Sequence, residues 1–296
     1  MVLHQPMLKQ VKDLLSFKAF KPSKLDVKVP LGKRFLGEGS IMGISISNNF
    51  LKLAEIEYET NSAISLRNIK SCLVSTEEER INSITAFAKD YKLSYAVLLG
   101  SPGIQVIKLE KALPKKGIDR LYDVKYHVSD ILGEQAEEGR AYAYVSNSKF
   151  PESLIFSYDQ VTLDYYVNLV NMAGLEVVRA SCSIYATLDY LINEDEKFLT
   201  HSQIVLIYSN DSLIIGSICD GKFQQIGFRS NIDAEDSKCH ILRMIERFDY
   251  KHSQISYINC SDWDIEMYFK QHYSDLKIEP IFQDSFAGIL QLVCYG

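Results

Sequence analysis

Two stretches of the chain, residues 41–56 and 204–218, share one pattern: an apolar strand, a short polar turn and a second apolar strand. The turn of the first stretch contains Asn48 and Asn49, and the turn of the second contains Asn210 and Asp211. Two distant copies of one supersecondary unit indicate a chain with two related halves. The pattern therefore predicts a two-lobed molecule in which each lobe begins with a β-hairpin.

Length and composition narrow the function classes. The chain has 296 residues, of which 47% are hydrophobic, enough to bury the core of one large or two medium domains. Its apolar runs are far shorter than the roughly 20 residues that cross a bilayer, and no signal-peptide core follows Met1, so we expect a cytoplasmic protein. The net charge of -6 and the lack of an arginine-rich stripe argue against nucleic-acid binding.

The six cysteines are scattered among apolar neighbours without a CxxC spacing. We expect them to be small core residues in a reducing compartment, and we expect no metal site. The six histidines show no ligand spacing either, and the chain has no GxSxG, HExxH or Walker sequence. No established catalytic motif is therefore present.

The first forty residues form a basic arm, in which lysine and arginine far outnumber aspartate and glutamate. Leu8, Val11 and Leu15 lie on one helical face, with most of the nearby lysines off that face. This pattern is typical of a segment that lies on an anionic membrane or on an acidic partner. A solvated leader whose short helix packs on its own domain is the alternative.

Hydrophobic periodicity predicts alternating strands and helices along the rest of the chain. A hairpin of two strands is expected at 41–59, with its turn at Asn48 and Asn49. Single strands are expected at 63–73, 95–100, 105–109, 141–145, 153–157, 176–180, 204–208, 212–218, 222–228, 255–259 and 277–280. Helices are expected at 77–92, 118–132, 160–173, 183–192, 236–248 and 262–271, with a closing apolar segment at 286–296. Ser101, Pro102 and Gly103 are interpreted as the turn of a hairpin between the fourth and fifth strands.

Four short segments carry a family resemblance: Lys52 after the first turn, residues 112–114 (Ala-Leu-Pro), residues 171–178 (Asn-Met-Ala-Gly-Leu-Glu-Val-Val) and residues 286–292 (Phe-Ala-Gly-Ile-Leu-Gln-Leu). Their order and spacing resemble those of PilM, the actin-like protein of type IV pilus assembly, and more distantly those of the GspL cytoplasmic domain and FtsA. The resemblance implies an α/β fold with mixed sheets, of the actin-like or ribonuclease H-like kind, with two lobes and a small inserted helix-and-sheet subdomain.

The resemblance also implies a domain division. Residues 1–40 are the basic arm, residues 41–111 and 181–200 the first lobe, residues 112–180 an inserted partner-binding subdomain, and residues 201–296 the second lobe. In nucleotide-binding relatives the turns of the two hairpins hold the phosphates, and an aspartate in the first turn organises the metal. Here Ser45 and Ser47 replace the aspartate and a glycine of the first turn, and Ile207 and Ser209 are the matching residues of the second.

A third family element, a Gly-Gly after a strand on the adenine side, is replaced by Asn259-Cys260-Ser261-Asp262. Because charge neutralisation is the main contribution of a phosphoryl-transfer site, we interpret this site as vestigial and expect no enzyme activity and no cofactor. The residues of the vestigial site are Ser45, Ser47, Asn48, Asn49, Lys52, Ser209, Asn210 and Asp211. Weak binding of ATP and magnesium is the alternative.

The resemblance implies a scaffold at the cytoplasmic face of the inner membrane, peripheral to it, which binds the cytoplasmic tail of a PilN-like membrane protein. An assembly ATPase or a platform protein is a further expected partner, and assembly into homo-oligomers is left open. Tyr142, Tyr144 and Tyr158 cluster in the insert and are candidate partner-binding residues, with packing of a small core as the alternative. The rival function is an actin-like ATPase that cycles with nucleotide or forms membrane-tethered filaments.

Overall fold

The computed structural model describes residues 39–47, 49–58, 64–101, 103–110, 139–147, 150–194, 198–209, 212–230, 234–247, 254–260, 265–272 and 277–280. The strands are β1 (Gly39–Ile46), β2 (Phe50–Tyr58), β3 (Ile64–Leu73), β4 (Tyr95–Gly100), β5 (Ile104–Leu109), β6 (Arg140–Asn147), β7 (Phe150–Asp159), β8 (Glu176–Cys182), β9 (Gln203–Ser209), β10 (Ser212–Cys219), β11 (Lys222–Ser230), β12 (Gln254–Cys260) and β13 (Lys277–Pro280). The helices are α1 (Glu77–Asp90), α2 (Gln160–Met172), α3 (Ser183–Glu194), α4 (Ala234–Arg247) and α5 (Ile265–His272).

The first sheet is mixed and has the order β3-β2-β1-β4-β8. Its first three strands form an antiparallel meander, while β4 and β8 run parallel to β1. Alternation in β1 places Met42, Ile44 and Ile46 in one core with the buried faces of α1 and α2. Burial of such aliphatic side chains contributes roughly 1.5–3 kcal/mol each relative to exposure. This core holds the helices on one face of the sheet.

Helix α1 begins with a capping box formed by Thr76 and Glu79. Thr76 accepts a hydrogen bond from the Glu79 backbone N–H, and the Glu79 carboxylate accepts one from the Thr76 N–H. The three glutamates of the first turn also suit the positive end of the helix dipole. The buried residues Ile84, Phe87 and Ala88 then fix the helix against the sheet.

The second sheet has the order β11-β10-β9-β12-β13, which repeats the arrangement of the first strand by strand. Strands β9, β10 and β11 form the antiparallel meander, and β12 and β13 are parallel to β9. Ile241 and Ile245 of α4 and Phe269 of α5 pack on its core face. Asp220 and Gly221 both have positive φ, as a tight turn between β10 and β11 requires.

Two strand glycines are sites of close approach by an aromatic ring. A Cβ at Gly100 of β4 would lie 2.9 Å from the Tyr166 ring, and a Cβ at Gly216 of β10 would lie 2.8 Å from the Phe223 ring. Both distances are shorter than real Cβ contacts. Each lobe therefore uses a strand glycine to admit an aromatic side chain onto its sheet.

A third, smaller sheet has the order β5-β7-β6, and its strands are all antiparallel. Three sequence-based boundaries change as a result. The predicted hairpin between β4 and β5 is wrong, because β4 pairs with β1 and β8 whereas β5 pairs with β7. The inserted sheet therefore begins at β5, and α2 and β8, assigned to the insert, belong to the first sheet and its core.

The other elements follow the predicted pattern closely. Helix α2 ends beside Gly174, whose φ of +87° is the left-handed value expected after a helix C-terminus. Asp159 is the last residue of β7 and directly precedes α2. The predicted helix at 118–132, the basic arm and the closing segment at 286–296 lie outside the described residues.

Of the cysteines whose side chains are described, Cys182 is buried as predicted, whereas Cys239 is exposed, so the expectation of a core position is wrong for Cys239. Among the described helices, none combines the length and the apolar character needed to cross a membrane.

Candidate functional site

The first hairpin turn joins β1 to β2 and is closed by its own backbone. The Ser47 N–H donates to the Phe50 carbonyl at 3.0 Å, and the Ser47 hydroxyl donates to the same carbonyl at 3.5 Å. The Asn49 carbonyl accepts from the Val74 N–H at 3.0 Å, which ties the turn to the end of β3. One backbone donor that could approach a phosphate is thus used within the hairpin. Asn48 lies outside the described residues.

Ser45 and Lys52 face each other across the β1–β2 ladder, and Ser45 also neighbours Leu99 of β4. The Lys52 Nζ lies 5.1 Å from the centroid of the Phe50 ring, which is cation–π distance. No strand residue of β1 is acidic. Over the described parts of the chain, no group of three or more histidine, cysteine, aspartate or glutamate side chains is placed to hold a metal.

In the second hairpin, Ser209 ends β9 and pairs with Ser212, while Asn210 and Asp211 lie outside the described residues. Ile207 is buried, with Ile214 and Ile258 as its cross-strand neighbours. A carboxylate in this buried position would lose its hydration without gaining a partner from the Ile214 side chain. The position matched to the second carboxylate of nucleotide-binding relatives is therefore part of the core.

The adenine-side segment begins as the end of β12. Asn259 pairs with Tyr208 and Cys260 with Ser209, so both residues are part of a parallel ladder with β9. Ser261 and Asp262 lie outside the described residues. The matched segment therefore starts with strand residues where the relatives have a glycine pair.

The three tyrosines proposed for partner binding are all buried. Tyr142 and Tyr144 of β6 pack with Leu109 and Ile155 in the core of the small sheet. Tyr158 is cross-strand neighbour to both Ile104 and Ala141. The arrangement is the packing alternative stated for these residues, since a buried ring offers almost no surface to a partner. Their partner-binding role remains a prediction.

Sequence reasoning missed a buried ion pair in the inserted sheet. The Lys108 ammonium of β5 lies 2.8 Å from Glu152 Oε1 of β7 and donates to the Phe223 carbonyl of β11 at 2.5 Å. The Glu152 side chain is only 9% exposed, and its second oxygen has no hydrogen-bond partner among the described residues. This lysine connects the inserted sheet to the edge of the second sheet. Its sequence signal, one lysine in an apolar strand, is weak.

Sequence reasoning also missed the surface of β3, the edge strand of the first sheet. Arg67 to Ser71 and Leu73 are exposed, including Ile69 at 49% and Leu73 at 67%. The available signal is that residues 64–73 contain two cations and no carboxylate.

A hydrogen bond between two ionisable side chains, Tyr165 and Glu77, joins α2 to α1. The Tyr165 hydroxyl donates to Glu77 Oε2 at 2.7 Å. This hydrogen bond to a carboxylate, together with partial burial and the negative charge of Glu77, raises the pKa of Tyr165 above its ordinary value of 10.0. The contact stabilises the neutral phenol and fastens the two helices to each other.

No family model matches the chain, and no curated protein matches it. Several solved structures do match the chain. The chain is similar to the PilM–PilN type IV pilus biogenesis complex, with a TM-score of 0.60 and 12% identity over 86% of this chain and 97% of the other. It is also similar to a Bacteroides thetaiotaomicron protein with an actin-like ATPase fold and unknown function, with a TM-score of 0.53 and 13% identity over 87% of this chain and 96% of the other.

A third similar structure is the cytoplasmic domain of EpsL, an inner membrane component of the type II secretion system of Vibrio cholerae. Its TM-score is 0.50 and its identity 10%, over 87% of this chain and 96% of the other. Identities this low bear on the fold. With the repeated mixed sheets and the small inserted sheet, they establish that this chain has the actin-like ATPase fold.

Proposed function

We propose that the protein is a non-catalytic scaffold of an inner-membrane assembly platform, of the type IV pilus or type II secretion kind. The observation that carries the proposal is the first hairpin turn. It has Ser45 and Ser47 where nucleotide-binding relatives have an aspartate and a glycine, and it uses the Ser47 N–H to close itself onto Phe50. Without a carboxylate, this turn does not organise a magnesium ion as the turn of an ATPase does.

The likeness to the PilM–PilN complex and to the EpsL cytoplasmic domain supports the choice of machinery. The first is described as a type IV pilus biogenesis complex, and the second is the cytoplasmic domain of an inner membrane component of a type II secretion system. We propose that this chain likewise is a cytoplasmic protein, peripheral to the membrane, that binds the short cytoplasmic tail of a PilN-like membrane protein. Contacts with an assembly ATPase or a platform protein belong to the same proposal.

The test is affinity capture from native membranes. A tagged full-length chain is expressed at its natural level, crosslinked briefly, and recovered with its partners for mass spectrometry. We expect enrichment of a small membrane protein with one transmembrane helix and a short cytoplasmic tail, together with other pilus or secretion components. The control is the tag alone on an unrelated protein of similar size. Recovery of no such component above this control would refute the scaffold proposal.

The rival is an ATPase or a membrane-tethered filament, which the actin-like ATPase fold favours. A filament tethered by the basic arm predicts that the full chain sediments with anionic vesicles, and that removing residues 1–40 abolishes the sedimentation. Equal sedimentation of the two chains would exclude tethering by the arm. A chain that binds membranes only through its partner sediments with neither neutral nor anionic vesicles.

A further inference from the structure

The outer edge of β3 is open over the described part of the chain, where β2 is the strand that pairs with it. The hydrogen-bond pattern between β2 and β3 shows which backbone groups of β3 face away from β2. The Val74 N–H donates to the Asn49 carbonyl, and antiparallel pairs alternate between bonded and non-bonded positions. The backbone N–H and C=O groups of Cys72 and Lys70 therefore form hydrogen bonds with β2. The same groups of Ser71 and Leu73 point away from β2.

The matching edge of the second sheet, β11, is not open in this way. Strands β5 and β7 of the inserted sheet lie against β11, and the Lys108 ammonium binds the Phe223 carbonyl. Phe223 itself is buried. Strand β3 therefore differs from β11 in having an exposed edge with apolar side chains. Such an edge is a template for pairing with another strand.

Side-chain exposure agrees with the backbone. Leu73 is 67% exposed and faces Phe50 across the ladder, and Ile69 is 49% exposed. The register between β2 and β3 is interrupted near Ala54, where Asn68 adopts a left-handed conformation with a φ of +49°. Such a bulge bends the strand and limits regular pairing to the segment that follows it. The usable edge is therefore Ile69 to Leu73.

The charged side chains near the β3 edge indicate which kind of strand would pair with it. Before the bulge, the carboxylate of Glu57 pairs with Arg67 at 2.7 Å, and that of Glu55 accepts from Asn68 at 2.7 Å. Beyond the bulge, the charged side chains of β2 and β3 are Lys52 and Lys70. Pairing β3 with a second copy of itself would bring cations together, since the strand carries no carboxylate. An incoming strand with acidic side chains would be attracted.

We propose that the Ile69–Leu73 edge of β3 is a docking site for an extended peptide segment with alternating apolar and acidic side chains. The segment adds to the first sheet as a further strand. Its backbone bonds to Ser71 and Leu73. Its apolar side chains cover Ile69 and Leu73 on one face of the sheet, and its carboxylates lie on the opposite face, beside Lys70. The site is independent of the tail-binding role proposed above, so either proposal can fail alone.

The test uses the full chain and three fluorescent peptides of about ten residues, the length of an added strand. The first alternates valine and aspartate, the second alternates valine and lysine, and the third is the first with N-methyl groups on every second residue. Fluorescence anisotropy at low salt measures binding. We expect the acidic peptide to bind about tenfold or more tighter than either of the others. Equal binding of the acidic and basic peptides, or no binding of the acidic one, overturns the proposal.

Two variants locate the binding. Ser71→Pro removes the outward N–H and leaves the ladder bonds to β2 intact, and Ser71→Ala is the matched control that keeps the N–H. We expect Ser71→Pro to weaken the acidic peptide about tenfold and Ser71→Ala to leave it unchanged. If Ser71→Pro does not fold by circular dichroism, Leu73→Glu replaces it, because a carboxylate there repels the peptide. A folded variant of either kind that binds like the natural chain overturns the proposal, as does dimerisation of the chain through this edge.

Discussion

The two large sheets have the same strand order, yet their matching edges have different surroundings. In the second lobe, β11 lies against the inserted sheet, and Lys108 of that sheet binds a β11 carbonyl. In the first lobe, β3 leaves Ile69 and Leu73 exposed. A repeated fold thus does not imply a repeated surface. The contrast separates what the fold requires, five strands in one order, from what a particular edge is free to bind.

The hairpins of the two lobes differ in a second way. In the first, Ser45 and Ser47 are polar residues at the end of a strand, and Ser47 closes the turn. In the second, Ile207 is buried between apolar neighbours. Neither of the matched positions, Ser45 and Ile207, carries a carboxylate, but the first is polar and the second is part of the core.

The largest effect is expected at the contact that covers β11. Lys108→Ala leaves the buried Glu152 carboxylate without its cation and removes the bond to the Phe223 carbonyl. Because Lys108 is itself 22% exposed, we expect a loss of about 3 kcal/mol in the free energy of unfolding, at the lower end of the range for broken buried pairs. Urea denaturation measures it.

The control for this variant removes both charges. Lys108→Met combined with Glu152→Leu keeps the volume and avoids the orphaned carboxylate, so we expect it to be close to the natural chain in stability. A loss below about 0.5 kcal/mol for Lys108→Ala would show that the pair does not hold the inserted sheet on β11.

A smaller effect is expected at the glycines that admit an aromatic ring, one in each lobe. Gly100→Ala would crowd Tyr166 and Leu163, and Gly216→Ala would crowd Phe223. We expect each to lower the free energy of unfolding by about 1–3 kcal/mol, the usual range for an overpacked core. The matched control is Gly103→Ala, where a Cβ meets nothing within 4 Å. If the control and the two variants unfold alike, the close approach of the rings does not matter for stability.

The smallest effect concerns Tyr165 and Glu77 in the first lobe. Because the folded-state pKa of Tyr165 lies above its unfolded value of 10.0, the contact stabilises fully below pH 10 and is lost as pH rises through the folded value. Tyr165→Phe should therefore cost a few tenths of a kcal/mol at neutral pH, the size expected of an exposed hydrogen bond. The same variant should be relatively less destabilising in strong alkali.

Glu77→Gln provides the comparison for the pH effect, because it removes the charged acceptor and retains a neutral one. Alkaline absorbance titration of the natural chain, Tyr165→Phe and Glu77→Gln isolates the ionisation of this phenol. We expect it to shift toward lower pH in Glu77→Gln. An unchanged titration would show that Glu77 does not hold the Tyr165 proton.

The sequence predicted the order of the elements along the chain and most of their bounds, because alternating burial in β1, β2, β9 and β10 is a local, periodic signal. The sequence-based prediction failed where the structure depends on pairing between strands that are far apart in the sequence. The turn at residues 101–103 looks like a hairpin from within, and only the pairing of β5 with β7 and of β4 with β8 shows that it links two sheets. Likewise, nothing local separates a buried Tyr144 from an exposed one.

The candidate site was predictable in its residue types and not in its contacts. Replacement of an expected aspartate by Ser45 is visible in the sequence, whereas the hydrogen bond from the Ser47 N–H to Phe50 depends on turn geometry. The edge of β3, which is open over the described residues, was missed because openness depends on which strands lie alongside, and a strand's own residues do not encode that. The basic character of residues 67–70 was the only sequence signal.

We propose that this chain does not work as an ATPase, and titration calorimetry of the full chain with magnesium ATP tests this proposal most directly. An actin-like ATPase in the same buffer is the positive control, and magnesium alone is the blank. We expect no saturable heat at nucleotide concentrations up to about 1 mM, because the first turn offers no carboxylate for the metal. Saturable, magnesium-dependent binding with a Kd below about 100 μM would contradict it.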